Sequence, residues 1–142
     1  MAKVSAGSRR YEESDSVPYE LGSDAAVAGD AMTISAASGA LVLTDGSNGF
    51  AGVLGSSTVE GGDEYGAASG DRVNLEIQGI VSAKVSATVG SSVSPGEKLV
   101  PGANGVLENV DDGTGSPVQA GPGDVQAWGE PDTDGFALVR LP

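Results

Sequence analysis

Between Arg72 and Val89 the chain alternates residue by residue. Val73, Leu75 and Ile77 are apolar, while Arg72, Asn74, Glu76 and Gln78 between them are polar. After Gly79 the same parity returns, with Val81, Ala83, Val85, Ala87 and Val89 set against Ser82, Lys84, Ser86 and Thr88. Period-two alternation predicts a half-buried β-strand, because successive side chains point to opposite faces. A straight strand over this stretch would span nearly ~60 Å at roughly 3.3 Å per residue. A compact chain of this length has a radius of gyration of only about 14–15 Å. The strand must therefore bend, and Gly79 followed by the out-of-phase Ile80 marks the bulge or corner.

Short strands and turns are expected on either side. Apolar words at 25–34, 40–44 and 50–54 are separated by Gly29-Asp30 and by the turn sequence Asp45-Gly46-Ser47-Asn48-Gly49. Further on, 97–100 and 105–108 bracket an Asn104-Gly105 turn, and 125–129 and 136–141 are the closing strands. Residues 59–70 and 111–123 are rich in Gly and acids and are predicted as surface loops. One step recurs: Gly, then Asp or Glu, then a strand, at Gly29-Asp30, Gly70-Asp71, Gly96-Glu97 and Gly123-Asp124. Its unequal spacing predicts a reused turn rather than a solenoid repeat. No stretch has sustained 3.6-residue periodicity, and the best helical chance is one turn within 61–69. Many short strands between Gly/Pro turns predict an all-β sandwich or barrel.

Composition sharpens this picture. The 142 residues include 23 Gly, only 4% aromatic residues, no Cys and no His. Disulfides, thiolate and imidazole catalysis and most zinc sites are thereby excluded. A core of small side chains buries little area per residue, so association is an expected source of stability. Twenty acidic residues against seven basic ones give a net charge of −13. That charge argues against polyanionic partners, both nucleic acid and anionic membrane. It fits either an ordinary acidic protein or one adapted to high salt, where a Debye length of about 3 Å screens self-repulsion. No apolar run approaches the ~20 residues of a membrane span. Nor do the first residues contain the apolar segment of a signal peptide, so synthesis in the cytoplasm is expected.

Residues 1–19 differ in character, with Lys3, Arg9 and Arg10 followed by Glu12, Glu13 and Asp15. They read either as a frayed terminus or as an arm that orders on a partner; residues 20–142 form the β-domain. Candidate chemistry is sparse. No Ser-x-x-Lys, nucleophile elbow or phosphate-binding loop is present. Asp132-Thr133-Asp134-Gly135 opens like a calcium loop, but the later acidic ligand does not follow. Asp111-Asp112 is a similarly weak cation candidate. The expectation is no catalytic residue, no metal site and no cofactor. The only Trp, Trp128, reads as a core or interface anchor rather than a ligand stacker.

Several words occur in a telling order. They are Ala26-Val27-Ala28-Gly29-Asp30, Phe50-Ala51-Gly52-Val53-Leu54 and the run from Gly70-Asp71-Arg72 through Gly79-Ile80-Val81. Val93-Ser94-Pro95-Gly96-Glu97-Lys98-Leu99-Val100, Ala127-Trp128-Gly129 and Ala137-Leu138-Val139-Arg140-Leu141 follow. Over residues 21–141 the chain resembles the capsid cement, or head decoration, proteins of tailed viruses. The resemblance implies a small curved β-barrel or β-tulip-like domain with an extended N-terminal arm, and no enzymatic activity. It also implies a homotrimer on the outer capsid surface of the virion, stabilising the lattice of the major capsid protein. The acidic bias then suggests a halophilic archaeal host. Capsid contacts are expected from the arm, at Lys3, Arg9, Arg10, Tyr11 and Tyr19. The rival expectations are a surface β-module binding carbohydrate or another protein, and a carboxylate-dependent hydrolase.

Overall fold

The computed structural model describes residues 15–22, 25–47, 49–55, 66–90 and 92–142. Among them every regular element is a strand and none is a helix. In chain order these are β1 (Asp15–Glu20), β2 (Ala26–Val27), β3 (Ala31–Ile34), β4 (Leu41–Leu43), β5 (Gly52–Leu54) and β6 (Gly66–Ala67). There follow β7 (Arg72–Ser86), β8 (Lys98–Pro101), β9 (Leu107–Asn109), β10 (Val125–Ala127) and β11 (Phe136–Leu141).

The alternating stretch is β7, 15 residues long, and its two halves serve different sheets. From Arg72 to Gln78 it pairs antiparallel with β1 on one edge, and Leu75 and Glu76 pair with β5 on the other. That sheet continues through β3 to β4. From Gly79 to Lys84 it pairs with β11, and Val85 and Ser86 run parallel to Leu107 and Glu108 of β9. Antiparallel pairings of β9 with β8, β8 with β10 and β10 with β11 then close a five-stranded β-barrel.

The changeover sits where the sequence places the corner. Gln78 faces Asp15 of β1 and the next residue, Gly79, faces Leu141 of β11. Gly79 has φ +105°, a conformation that a Cβ would strain. The register slips there by one residue. Ser16 pairs with Glu76 and Asp15 with Gln78, leaving Ile77 as the extra residue of a bulge. Alternation alone puts Ile77 inward; the bulge turns it out, 38% exposed. Ile80 lies opposite Arg140 on the barrel's outer face, out of phase with the lumen, and is nevertheless buried.

Each half of β7 covers its own core. A five-stranded barrel is narrow, and small side chains fill it. Ala83, Ala127 and Ala137 line it with Val85, Leu99, Leu107, Val125, Val139 and Leu141. The second core is Leu21, Ala26, Met32, Leu41, Leu54, Val73 and Leu75, with Val17 and Tyr19 of β1 half-buried against it. Residues 15–19, read from sequence as part of the arm, thus include five of the six residues of a strand paired along β7. Just past it, Leu21 bridges Leu41 in parallel and the Gly22 N–H donates to the Leu41 carbonyl at 2.7 Å, drawing β1 and β4 together. The two sheets are also stitched across. Ala31 N–H donates to the Gly105 carbonyl at 2.7 Å, Lys84 N–H to Gly29 at 2.9 Å, and the Thr44 hydroxyl to Gly102 at 2.8 Å.

The recurring Gly-acid step is one turn built four times. In 27–30, 68–71, 94–97 and 121–124 the third residue is Gly at φ between +86° and +98°. The fourth residue's N–H returns to the first residue's carbonyl. Its carboxylate in turn accepts the first residue's N–H, at 2.9, 2.9, 3.1 and 2.9 Å. Gly at the third position, with Pro95 and Pro122 at the second, is type II turn chemistry. Each acid therefore locks its turn, which is why the pair recurs at unequal spacing. The Asn104-Gly105 turn also forms, both residues at positive φ (61° and 75°) as a two-residue hairpin of this hand requires. Of the 61–69 stretch, residues 66–67 are strand β6, paired with β2, and 61–65 lie outside the described residues.

Candidate interaction surface

Lys3, Arg9, Arg10 and Tyr11 lie outside the described residues. Tyr19 does not: it faces Val73 across the β1–β7 pair and packs half-buried on the second core. Gly79 and Ile80 sit at the strand changeover, where β1 and β11 meet end to end on one edge of β7.

Of the described acids, Asp30, Asp71, Glu97, Asp111, Asp112, Asp124 and Asp132 sit in turns and bond to backbone, while Glu20, Glu76 and Glu108 lie in strands. Asp132 Oδ1 accepts the N–H groups of Asp134 and Phe136, closing the hairpin into β11. Asp111 Oδ1 accepts those of Gly113 and Gly115. Asp112 is fully exposed, and the Thr114 hydroxyl followed by the Thr114 N–H holds its carboxyl below the usual 3.8. Among the described residues no group of three or more acids is placed to share a metal ion.

Five polar residues are buried among those described, Asp30, Thr33, Thr44, Glu97 and Asn109, and two of them gather several partners. Asp30, 3% exposed, receives the Lys84 ammonium at 2.7 Å and the Val27 N–H at 2.9 Å, tying its turn to β7. Asn109, 1% exposed, accepts from Thr88 and Val89 N–H at 2.7 and 3.1 Å. Its amide donates to the Val89 carbonyl and to Glu97 Oε1, both at 3.2 Å. This network fastens the chain leaving β7 to β9 and to the turn before β8. Every partner is internal, so its work is architectural.

The outer face of the barrel is different. Directly opposed residues of antiparallel strands share a face, and the registers set out a grid across β10, β11 and β7. Gln126, Arg140 and Ile80 form one row. In the next, Leu138 faces Ser82, and Trp128 N–H donates to the Leu138 carbonyl at 2.8 Å. Phe136 faces Lys84 in the third. Gly129 N–H reaches the same Leu138 carbonyl at 3.2 Å, so two residues of one strand oppose one of the other. Trp128, two residues beyond the outward Gln126, keeps that face by alternation, and it is 48% exposed, the highest among the large apolar residues found exposed. Trp128 is thus no core residue. Leu138 and Phe136 beside it are half-buried and Arg140 is exposed.

Sequence reasoning singled out Trp128 but missed Phe136, Leu138 and Arg140. The strand Phe136–Leu141 is apolar at five of six positions, so hydrophobicity cannot choose its faces. Alternation alone then separates Ala137, Val139 and Leu141, which face the lumen, from Phe136, Leu138 and Arg140, which face out, and the one polar residue of the strand, Arg140, was the available signal. Comparison of the chain with protein-family models and with curated proteins finds no match.

Proposed function

We propose that this protein is a structural virion subunit that decorates the outside of a tailed-virus capsid and stabilises its major capsid protein lattice. One observation carries the reading: the ordered series of Gly-centred turns and apolar words over residues 21–141. Each word coincides with turns and strands of one β-domain, a closed barrel joined to a second sheet through β7. Such a subunit acts by contact, and repeated modest contacts over a lattice add to strong attachment through effective concentration. Two features suit this role: acid-locked turns that hold a rigid surface, and an outward face with an exposed aromatic. The test is co-sedimentation of the purified protein with capsids lacking it, in molar salt. Saturable binding and a raised capsid melting temperature are expected; absence of binding at every salt concentration would reject the reading.

The exposed Trp128 favours a second reading, a non-enzymatic β-module that binds carbohydrate by ring stacking. A sugar array giving saturable binding lost in Trp128→Ala would select it.

A further inference from the structure

We propose that Asn104-Gly105 is a latent site of spontaneous deamidation, closed while the β8–β9 hairpin is seated on the second sheet and opened irreversibly when the hairpin leaves it. The site is independent of the capsid reading, which stands or falls on co-sedimentation.

An Asn-Gly step is chemically vulnerable because Gly puts no Cβ beside its own amide nitrogen. That nitrogen gives its proton to a solvent base and attacks Cγ of the preceding Asn. The new N–Cγ bond closes a succinimide ring, the Cγ–Nδ2 bond breaks and ammonia leaves. Water, the only other reactant, then opens the ring at either carbonyl. One product is aspartate. The other is isoaspartate, whose main chain runs through the former side chain and is longer by a methylene.

The chain has two such steps, Asn48-Gly49 and Asn104-Gly105, and the fold sets three obstacles at the second. Direction is the first. Asn104 at φ 61° and Gly105 at φ 75° are the central pair of the hairpin turn, and the Val106 N–H returns to the Ala103 carbonyl at 3.3 Å. The first central residue of such a turn has ψ of about +30°, which points the following nitrogen away from that residue's Cβ. Ring closure needs the opposite arrangement. Occupancy is the second: the Gly105 N–H donates to the Thr44 carbonyl at 3.2 Å. Seating is the third. Gly105 is buried although Asn104 is exposed, and a Cβ on Gly105 would lie 2.9 Å from Leu43 Cδ2 and 3.2 Å from Asp30 Cβ. The Ala31 N–H holds the Gly105 carbonyl at 2.7 Å, and the buried Thr44 hydroxyl holds that of Gly102 at 2.8 Å.

The turn cannot rotate into a reactive form without lifting out of this seat. Reaction therefore follows the fraction of molecules whose hairpin has detached. Isoaspartate then lengthens the main chain directly before Gly105, so its N–H and carbonyl no longer meet Thr44 and Ala31 together, and the hairpin does not reseat.

The protein is held at mildly alkaline pH in molar salt, folded or unfolded by urea, and conversion is followed by peptide mass spectrometry. In urea both Asn-Gly steps are expected to convert at similar rates. In the folded chain Asn104 should convert about tenfold or more slowly than in urea. Thr44→Val removes the hydroxyl bond to Gly102. It should speed conversion of folded Asn104 about fivefold and leave the urea rate unchanged. In chains deamidated in urea and refolded, the isoaspartate form should exchange the Ala31 amide rapidly while Ala83 and Val139 in the lumen stay protected. Equal rates at Asn104 in the folded and unfolded chain would overturn the proposal. So would a Thr44→Val rate no faster than the parent's, or an Ala31 amide as protected in the isoaspartate form as in the parent.

Discussion

Gly29 shows how tightly single residues are set in this molecule. Its φ is +98°, and a Cβ there would lie 2.5 Å from Phe136 Cε2. Gly70 occupies the same position of the same turn type at φ +90°, with nothing within 4 Å of a Cβ. Gly70→Ala is therefore expected to cost about 1 kcal/mol, the left-handed backbone penalty alone. Gly29→Ala adds overpacking against an aromatic ring and is expected to cost about 3 kcal/mol. Urea denaturation of the two variants separates the terms, and equal losses would mean that Phe136 moves aside freely. Asp112 supplies a second test. Its folded pKa is lowered by the Thr114 hydroxyl and N–H, so any stability it contributes is present above the unfolded value and is lost as pH falls through the lowered one. Thr114→Ala removes the first of these causes. The Asp112 midpoint, followed by carboxyl NMR shifts, should then rise toward 3.8.

At the scale of elements, the buried side chain of Asn109 does what no strand pairing does, tying the exit of β7 to β9 and to Glu97. Asn109→Ala is expected to leave the Thr88 and Val89 N–H groups and the Glu97 carboxylate without this partner. A loss of about 3 kcal/mol follows, at roughly 1 kcal/mol or more per group. Amide exchange at Thr88 and Val89 should accelerate ahead of the lumen residues Ala83 and Val139; uniform acceleration would show only global destabilisation. What could be read from sequence follows the same divide between local and distant causes. The corner at Gly79, the Asn104-Gly105 turn and the four Gly-acid turns were legible because each depends on backbone rules within a few residues. The pairing of β7 with four different strands was not, since partner choice depends on packing between segments far apart in the chain. The outward Trp128 face was legible only in part. Alternation splits Phe136–Leu141 into two faces and Arg140 marks one of them as outward, but that Trp128 stands beside it depends on the pairing of β10 with β11.

For the whole molecule, charge and the start of the described chain give the remaining tests. Net charge −13 over 142 residues opposes compaction in dilute buffer. Moving from dilute buffer to molar sodium chloride should raise the melting temperature by several degrees, because the Debye length contracts to about 3 Å. A flat response would remove the halophilic expectation. Residues 1–19 were expected to act as one arm, yet β1 begins at Asp15, and Val17 and Tyr19 pack on the second core. Two truncations should then behave differently. Removal of 1–14 takes Lys3, Arg9, Arg10 and Tyr11 but leaves the β1–β7 register whole. It is expected to keep the unfolding midpoint and to weaken capsid attachment. Removal of 1–20 also strips β1 from one edge of β7 and uncovers Val73 and Leu75. At roughly 25 cal/mol per Å² for the apolar area lost, together with the broken strand pairing, it should cost about 3 kcal/mol or more in denaturant. If the shorter truncation destabilised the fold as much as the longer one, the basic residues would be serving the domain itself. If it left attachment undiminished, the capsid contact would have to be sought on the barrel.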